Sequence, residues 1–384
     1  MKTRIDWVRE NCLLLNAISE EFGVTQPFAR RTIGTGIHLE PKTVALLMTL
    51  QKGGARVVST GNLNTTQLLA VERLRDEGVT VIGGPTTDLA EHKRNLEAVL
   101  DHQPDMLLDN GGDLFNLWRQ RRHAGLLGGT EETTSGRMRL APLRAELAIP
   151  ILVINDSPIK QFAENEHAVG QSVLESYIRI TNRVTNGQRV TVFGYGACGR
   201  GVAANFRAAN AKVSVVDRDP LKRLQAHLDG FDTPNRNRAI ASADVIVTVT
   251  GGRDIVGPDD LPLFKDGAIL ANAGHFPVEI GVEGIAASQH VIKHERFVDD
   301  IEVLTLTNTR VIRILAGGHM VNLAGPRPMG NSIESMDLGF ALQARCLEAV
   351  ALGRVGAADC VVPVPRTIDE KIAEAFLTLH YAST

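Results

Sequence analysis

The chain has 384 residues, 43% of them hydrophobic, and a net charge of −3, enough for two domains that each bury a core. Its charges form no long like-sign runs, which argues against nucleic acid or an anionic membrane as partner, and no apolar run reaches the ~18 residues of a membrane helix. Cys12, Cys198, Cys346 and Cys360 have neither metal-ligand nor disulfide spacing and no apolar signal segment follows Met1, so a cytoplasmic protein without a metal site is expected.

Residues 1–30 have helical apolar spacing at Val8, Leu13, Leu14 and Ile18. From residue 31 to 157, short apolar runs alternate with helical stretches, the pattern of a parallel sheet wrapped in helices. Those runs end on polar groups: His38, Asn62, Asp109 with Asn110, and Asn155 with Asp156. Ligands of open α/β sheets bind beyond the carboxyl ends of the strands, so these side chains are expected to share one rim. Asp113 is expected to be a helix cap. Pro158 to Thr185 joins the two halves as a hinge.

Arg189 to Asp219 then reads as strand, Gly194-Tyr195-Gly196-Ala197-Cys198-Gly199, helix, and a second strand at Val213–Val216 ending on Asp217. Glycines at this spacing let the backbone turn and approach a pyrophosphate at a helix N-terminus. The acidic residue about 20 positions on accepts the ribose hydroxyls. Asp217 would repel a 2′-phosphate, so the expected cofactor is NAD, although Arg218 weakens the preference. Further strands are expected at Val245–Thr250, Ala268–Asn272 and Val311–Leu315. A helix from Met336 to Val350 returns to the first domain, and a last helix lies around Glu370 to Leu379. The expected architecture is α/β, with two doubly wound parallel-sheet domains joined by the hinge. A substrate domain spans 1–157, completed by about 331–384, and a Rossmann domain spans 171–330.

Several segments together resemble the S-adenosylhomocysteine hydrolase family: Gly111-Gly112-Asp113-Leu114, Glu131-Glu132-Thr133-Thr134-Ser135-Gly136, Asn155-Asp156-Ser157 with Lys160, the glycine loop, Asn272-Ala273-Gly274-His275-Phe276 and Val321-Asn322-Leu323. The resemblance runs from about residue 31 to 380. It implies a redox-neutral cycle in which bound NAD oxidises the ribose 3′-hydroxyl. The ketone acidifies the 4′ hydrogen, homocysteine is expelled from C5′, water adds, and the ketone is reduced again. An unactivated C–H is too weak an acid for any side chain, whereas a lysine or histidine can deprotonate a carbon beside a carbonyl.

By that resemblance Glu132 holds the sugar hydroxyls, Lys160 is the base, and Asn165 lies between sugar and nicotinamide. His38 stands near C5′ and His275 on the 3′ side, while Thr133, Thr134, Ser135, Asp217, Asn322 and the glycine loop contact NAD. Met336 and Asn331 fall on the substrate side. The alternatives are structural: a core histidine, or a salt-bridged glutamate.

The sequence also departs from the family pattern. Glu40 and Lys42 stand where a threonine and an amine-reading Glu or Gln are usual; a lysine donates but cannot accept. Asn110 replaces a carboxylate paired with the histidine, Glu164 an aspartate, Val169 a cysteine and Asn331 a histidine. The family's basic C-terminal tail has no counterpart, which implies looser NAD binding in a homo-oligomer, dimer or tetramer. Glu40 is read as restoring the lost carboxylate beside His38. The reading drawn from these changes is an NAD-dependent lyase (a dehydratase) that removes water from a nucleoside, as in nucleoside-antibiotic synthesis. The alternatives are hydrolysis of S-adenosylhomocysteine and a silent NAD-binding regulator.

Overall fold

The computed structural model describes residues 2–275, 277–297 and 300–381. The chain divides into two compact units, Met1–Gln161 with Ile333–Thr384, and Phe162–Ser332. In chain order the strands are β1 (Thr32–Ile37), β2 (Arg56–Gly61), β3 (Thr80–Ile82), β4 (Met106–Asp109), β5 (Gly128–Glu131) and β6 (Ile151–Val153) in the first unit. The second unit holds β7 (Arg189–Phe193), β8 (Lys212–Val216), β9 (Val245–Thr248), β10 (Ile269–Asn272), β11 (Val291–Arg296), β12 (Ile301–Leu306) and β13 (Val311–Leu315). Strand β14 (Cys360–Pro363) lies in the returning stretch.

In the first unit seven parallel strands are ordered β14-β6-β5-β4-β1-β2-β3. Helices on both faces keep water from the central strands, so these read as continuous apolar runs rather than alternating ones. Met106, Leu107 and Leu108 of β4 are all fully buried. Val58, Leu107, Phe115, Trp118, Ile151 and Val153 pack into one core cluster. The returning stretch is part of this unit. Buried Asp337, on the helix Ile333–Ala351, accepts the amides of Leu14 and Leu15 at 2.7 and 2.9 Å at the start of the helix Leu13–Thr25. Those bonds replace a missing cap, because Cys12 makes no side-chain cap bond. Burial pushes the Asp337 carboxyl up to about 6.

The second unit has strand order β11-β12-β13-β10-β9-β7-β8. Its inner strands are parallel. The parallel core carries an antiparallel edge, in which β12 runs antiparallel to both β11 and β13. Neither β11 nor β12 is legible in the sequence. Most of β11 is exposed and charged, as an edge strand requires. The stretch read as a mixed hinge is helical almost throughout, with π winding over Lys160–Ala168 and α winding over Val169–Thr181. Among the described residues no helix is long and apolar enough to cross a membrane.

Candidate functional site

The strand register builds the rim of the first unit. Strand order reverses between β1 and β4, where the connections leave in opposite directions and a crevice opens beyond the carboxyl ends. Gly36 of β1 lies opposite Asp109 of β4, and Asp109 opposite Glu131 of β5. The residues just past those strand ends, His38, Asn110 and Glu132, therefore come up side by side, with Asn62 following β2. Thr43 donates to the His38 carbonyl at 2.5 Å and fixes the backbone there.

A continuous set of hydrogen bonds crosses this rim. Lys160 Nζ donates to Glu132 Oε1 at 3.1 Å, and Asn110 Nδ2 to Glu132 Oε2 at 2.8 Å. Asn62 Nδ2 donates to Asn110 Oδ1 at 2.9 Å, and His38 Nδ1 meets Thr65 Oγ1 at 2.6 Å. Glu132, Lys160 and Asn110 are all buried. Burial pushes the Glu132 carboxyl upward, but the Lys160 charge, the Asn110 amide and His38 outweigh it and hold the group below its ordinary range. Glu132 is thus an ionised acceptor with lone pairs to spare beside a buried ammonium. Ser157 supports the base of the Lys160 helix. Its hydroxyl accepts from the Lys160 amide at 3.4 Å and donates to Asp369 of the last helix, Arg366–Tyr381.

Beneath the rim lie Asp109, which was expected on the rim itself, and Glu131, whose role sequence reasoning missed. Glu131 accepts the amides of Gly111, Gly112 and Thr133 at 3.1, 3.0 and 2.7 Å, and the Thr133 hydroxyl at 2.7 Å. It clamps the loop carrying Asn110 to the loop carrying Glu132. A Cβ at Gly136 would stand 2.1 Å from the Glu131 carboxylate, so only glycine fits. Asp109 accepts from Phe115 at 3.0 Å and from Asn110 at 2.9 Å. It, rather than Asp113, serves the start of the helix Asp113–Gln120; Asp113 occupies the first turn and pairs with Arg139.

Burial, then the charge of Asp113, pushes Asp109 up to about 7; burial, then the charge of Asp109, raises Glu131 well above the carboxylate range. A carboxyl raised on folding binds a proton that the unfolded chain releases. Its stabilising contribution is full below the ordinary value of 3.8 and is lost as pH rises through about 7. The melting-temperature advantage of the wild type over Asp109→Asn should therefore shrink as pH rises through that window. An advantage that stays constant or widens would contradict this assignment.

Glu40 and Lys42 form a buried ion pair at 2.8 Å at the start of the helix Pro41–Lys52. The Thr133 hydroxyl caps the helix Thr134–Leu140, accepting from Gly136 at 2.8 Å, and lies 3.1 Å from Ser135. Thr134 is exposed. Met336 is buried in the helix Ile333–Ala351.

In the second unit the order reverses between β7 and β9, and the glycine loop follows β7. Gly194 has φ +102°, and a Cβ at Gly199 would sit 2.0 Å from the Gly194 carbonyl oxygen. A Cβ at Gly196 would meet no atom within 4 Å, and the helix Ala197–Ala208 that follows has no side-chain cap. Its first amides are therefore open to an anion. Asp217 is oriented by the amides of Tyr195 and Asp219, at 2.7 and 2.9 Å. This loop, helix start and carboxylate fit a dinucleotide.

Elsewhere in this unit, Ser172 donates to Asn331 at 2.9 Å and accepts from Asn322 at 3.0 Å, and Asn331 reaches Glu164 at 3.4 Å. Asn165 is half-buried on the π-wound helix. Half-buried His275 follows Gly274, whose amide is held by Asn272 at 2.8 Å; its neighbour Phe276 lies outside the described residues. Glu279, which sequence reasoning missed, accepts the Thr250 and Gly251 amides at 2.8 and 2.7 Å and shapes the loop after β9.

The S-adenosyl-L-homocysteine hydrolase family model matches residues 2–125, and the model of that family's NAD binding domain matches residues 165–327. Adenosylhomocysteinase from Thermotoga maritima is 38% identical over 96% of this chain and 92% of its own. S-inosyl-L-homocysteine hydrolase from Methanothermobacter thermautotrophicus is 38% identical over 89% of this chain and 83% of its own. Its namesake from Methanopyrus kandleri is 37% identical over 96% and 88%. The chain therefore belongs to the S-adenosyl-L-homocysteine hydrolase family, with two α/β domains and NAD as its cofactor.

Proposed function

We propose that this protein hydrolyses an S-nucleosyl-L-homocysteine to a nucleoside and L-homocysteine. The observation that carries the reading is the buried Lys160–Glu132 pair, 3.1 Å apart, on the rim that also bears His38. In this reading Gly194, Gly196, Gly199 and Asp217 hold NAD. When bound, NAD supplies the reversible oxidation of a sugar hydroxyl that makes the neighbouring C–H acidic. Glu132 accepts the sugar hydroxyls, and Lys160, its ammonium having first given up a proton to solvent, takes the C4′ proton and regains the charge that Glu132 stabilises. His38 gives a proton to the departing sulfur and later takes one from the water that adds at C5′. Each turnover then consumes one water, releases one thiol and leaves every side chain as it began.

Loss of water from a nucleoside rested on Glu40 as a carboxylate beside His38. Glu40 is engaged by Lys42 at 2.8 Å, and the relatives' names describe thioether hydrolysis, so hydrolysis replaces that reading. Lys42, a donor only, favours a base presenting an oxo acceptor, as in an S-inosyl substrate, over the adenine amine. Homocysteine release from the S-inosyl and S-adenosyl thioethers is the test. We expect release from both, with kcat/KM roughly tenfold higher for the S-inosyl substrate, and collapse of that preference in Lys42→Met. Release from neither, with water lost from a nucleoside, would overturn hydrolysis; a preference for the adenine substrate would overturn the role of Lys42.

A further inference from the structure

Four polar side chains of the second unit form a relay that starts at a carboxylate and ends on an open acceptor. Asn331 Nδ2 reaches Glu164 Oε1 at 3.4 Å, and Ser172 Oγ lies 2.9 Å from Asn331 Oδ1. Asn322 Nδ2 lies 3.0 Å from Ser172 Oγ and 3.4 Å from Asn331 Oδ1. A carboxylate only accepts, so it draws the Asn331 N–H group to itself and turns the Asn331 oxygen towards Ser172. The Ser172 hydroxyl has one proton and two acceptors in range, Asn331 Oδ1 at 2.9 Å and the Val169 carbonyl at 3.2 Å. Given to Val169, that proton would leave two oxygens facing each other at 2.9 Å with nothing between them, so it goes to Asn331. Ser172 Oγ is then the acceptor for Asn322, whose N–H group faces inward and whose oxygen points the other way. Asn322 is 2% exposed, and among the described residues no donor reaches that oxygen. A buried carbonyl oxygen without a donor is uncommon and calls for a ligand.

The place of Asn322 in the sheet says which donor is missing. Its neighbour Val321 donates to the Asn272 carbonyl at 2.8 Å, so Asn322 lies beyond the carboxyl end of β10. The glycine loop follows β7 and Asp217 follows β8, on the opposite side of β7 from β9 and β10. A dinucleotide with its pyrophosphate at that loop and its adenosine ribose at Asp217 extends its nicotinamide over β9 and β10. The nicotinamide carboxamide carries an NH2 group, the donor that the Asn322 oxygen lacks. We propose that Ser172 and Asn331 are positioning residues that hold Asn322 with its oxygen towards the carboxamide N–H of NAD. The proposal rests on the placing of NAD at the glycine loop and Asp217, and it is independent of which thioether is hydrolysed. With the relay broken, Asn322 can turn over and offer its own NH2 group to the carboxamide oxygen.

The test is a competition in which the full-length protein is equilibrated with equal amounts of NAD and its 3-acetylpyridine analogue, where a methyl replaces the NH2 group. Mass spectrometry of the protein-bound dinucleotide reads the ratio, and no turnover is involved. Wild type should retain NAD over the analogue by about tenfold, the worth of one hydrogen bond. Ser172→Ala and Asn331→Leu break the relay without removing Asn322. In each, both dinucleotides present the same carbonyl to a turned Asn322, so the ratio should fall to within about twofold of unity. Asn322→Leu should show the same loss of preference. A ratio near unity in wild type, or the wild-type ratio in either relay variant, would overturn the proposal. So would a preference kept in Asn322→Leu, because another group would then read the carboxamide. Full affinity for both dinucleotides in Gly196→Ala would instead overturn the placing of NAD on which the proposal rests.

Discussion

Lys160→Ala should lower turnover by roughly 10²–10⁴-fold, the range lost when a positioned acid or base is removed, while NAD binding persists. Lys160 is buried with Glu132, and the ammonium is the main force holding that carboxyl below its ordinary range against burial. Removing the lysine strands a buried charge, so part of the loss could come from a disturbed fold, at a cost of about 3–5 kcal/mol. Lys160→Arg separates the two effects. A guanidinium keeps the charge beside Glu132 but does not give up its proton at neutral pH. It should restore the melting temperature and leave homocysteine release as low as in the alanine variant. Arginine activity within a few fold of wild type would show that Lys160 acts as a charge and not as a base. Full function in both variants would favour a regulator that merely binds NAD.

The second large effect is expected in the glycine loop. A Cβ at Gly199 would meet the Gly194 carbonyl oxygen at 2.0 Å, a backbone atom that cannot swing away. Gly199→Ala should therefore separate the loop from its helix, costing about 1–3 kcal/mol of stability, and abolish the rise in melting temperature on adding NAD. Gly196→Ala is the informative partner. Its Cβ would meet nothing within 4 Å and its φ is −72°, so the protein without cofactor should melt as the wild type does. The added methyl would lie where the phosphates approach, and NAD affinity should fall. Equal NAD affinity in Gly196→Ala and wild type would remove the loop from the cofactor site.

What could be read in advance follows from how local each signal is. The glycine loop is written in consecutive residues, because the backbone turn, the close helix packing and the open amides all lie within six positions, Gly194 to Gly199. The strand ends bearing His38 and Asn110 were equally visible, since parallel strands are apolar runs and a polar residue marks where each leaves the core; Glu132 follows β5, Gly128–Glu131, which is no apolar run, and was placed by the family resemblance alone. The edge hairpin of β11 and β12 was not visible, because β11 is exposed and charged and β12 alternates buried with half-buried side chains, so neither has a continuous apolar run to announce it.

The residue types at the site, the two-domain α/β architecture and the dinucleotide loop were determined by the sequence alone. Tertiary structure decided which groups pair. Glu40 could serve His38 or Lys42, and the first turn of the helix Pro41–Lys52 places it with Lys42. Asp113 resembled a cap, but Asp109, four residues earlier, takes that role because β4 ends beneath the helix start. Glu131 acquires its role from neighbours 20 and 19 residues away. A hydrogen bond depends on separation in space, and only the register of parallel strands converts distant sequence positions into such contacts.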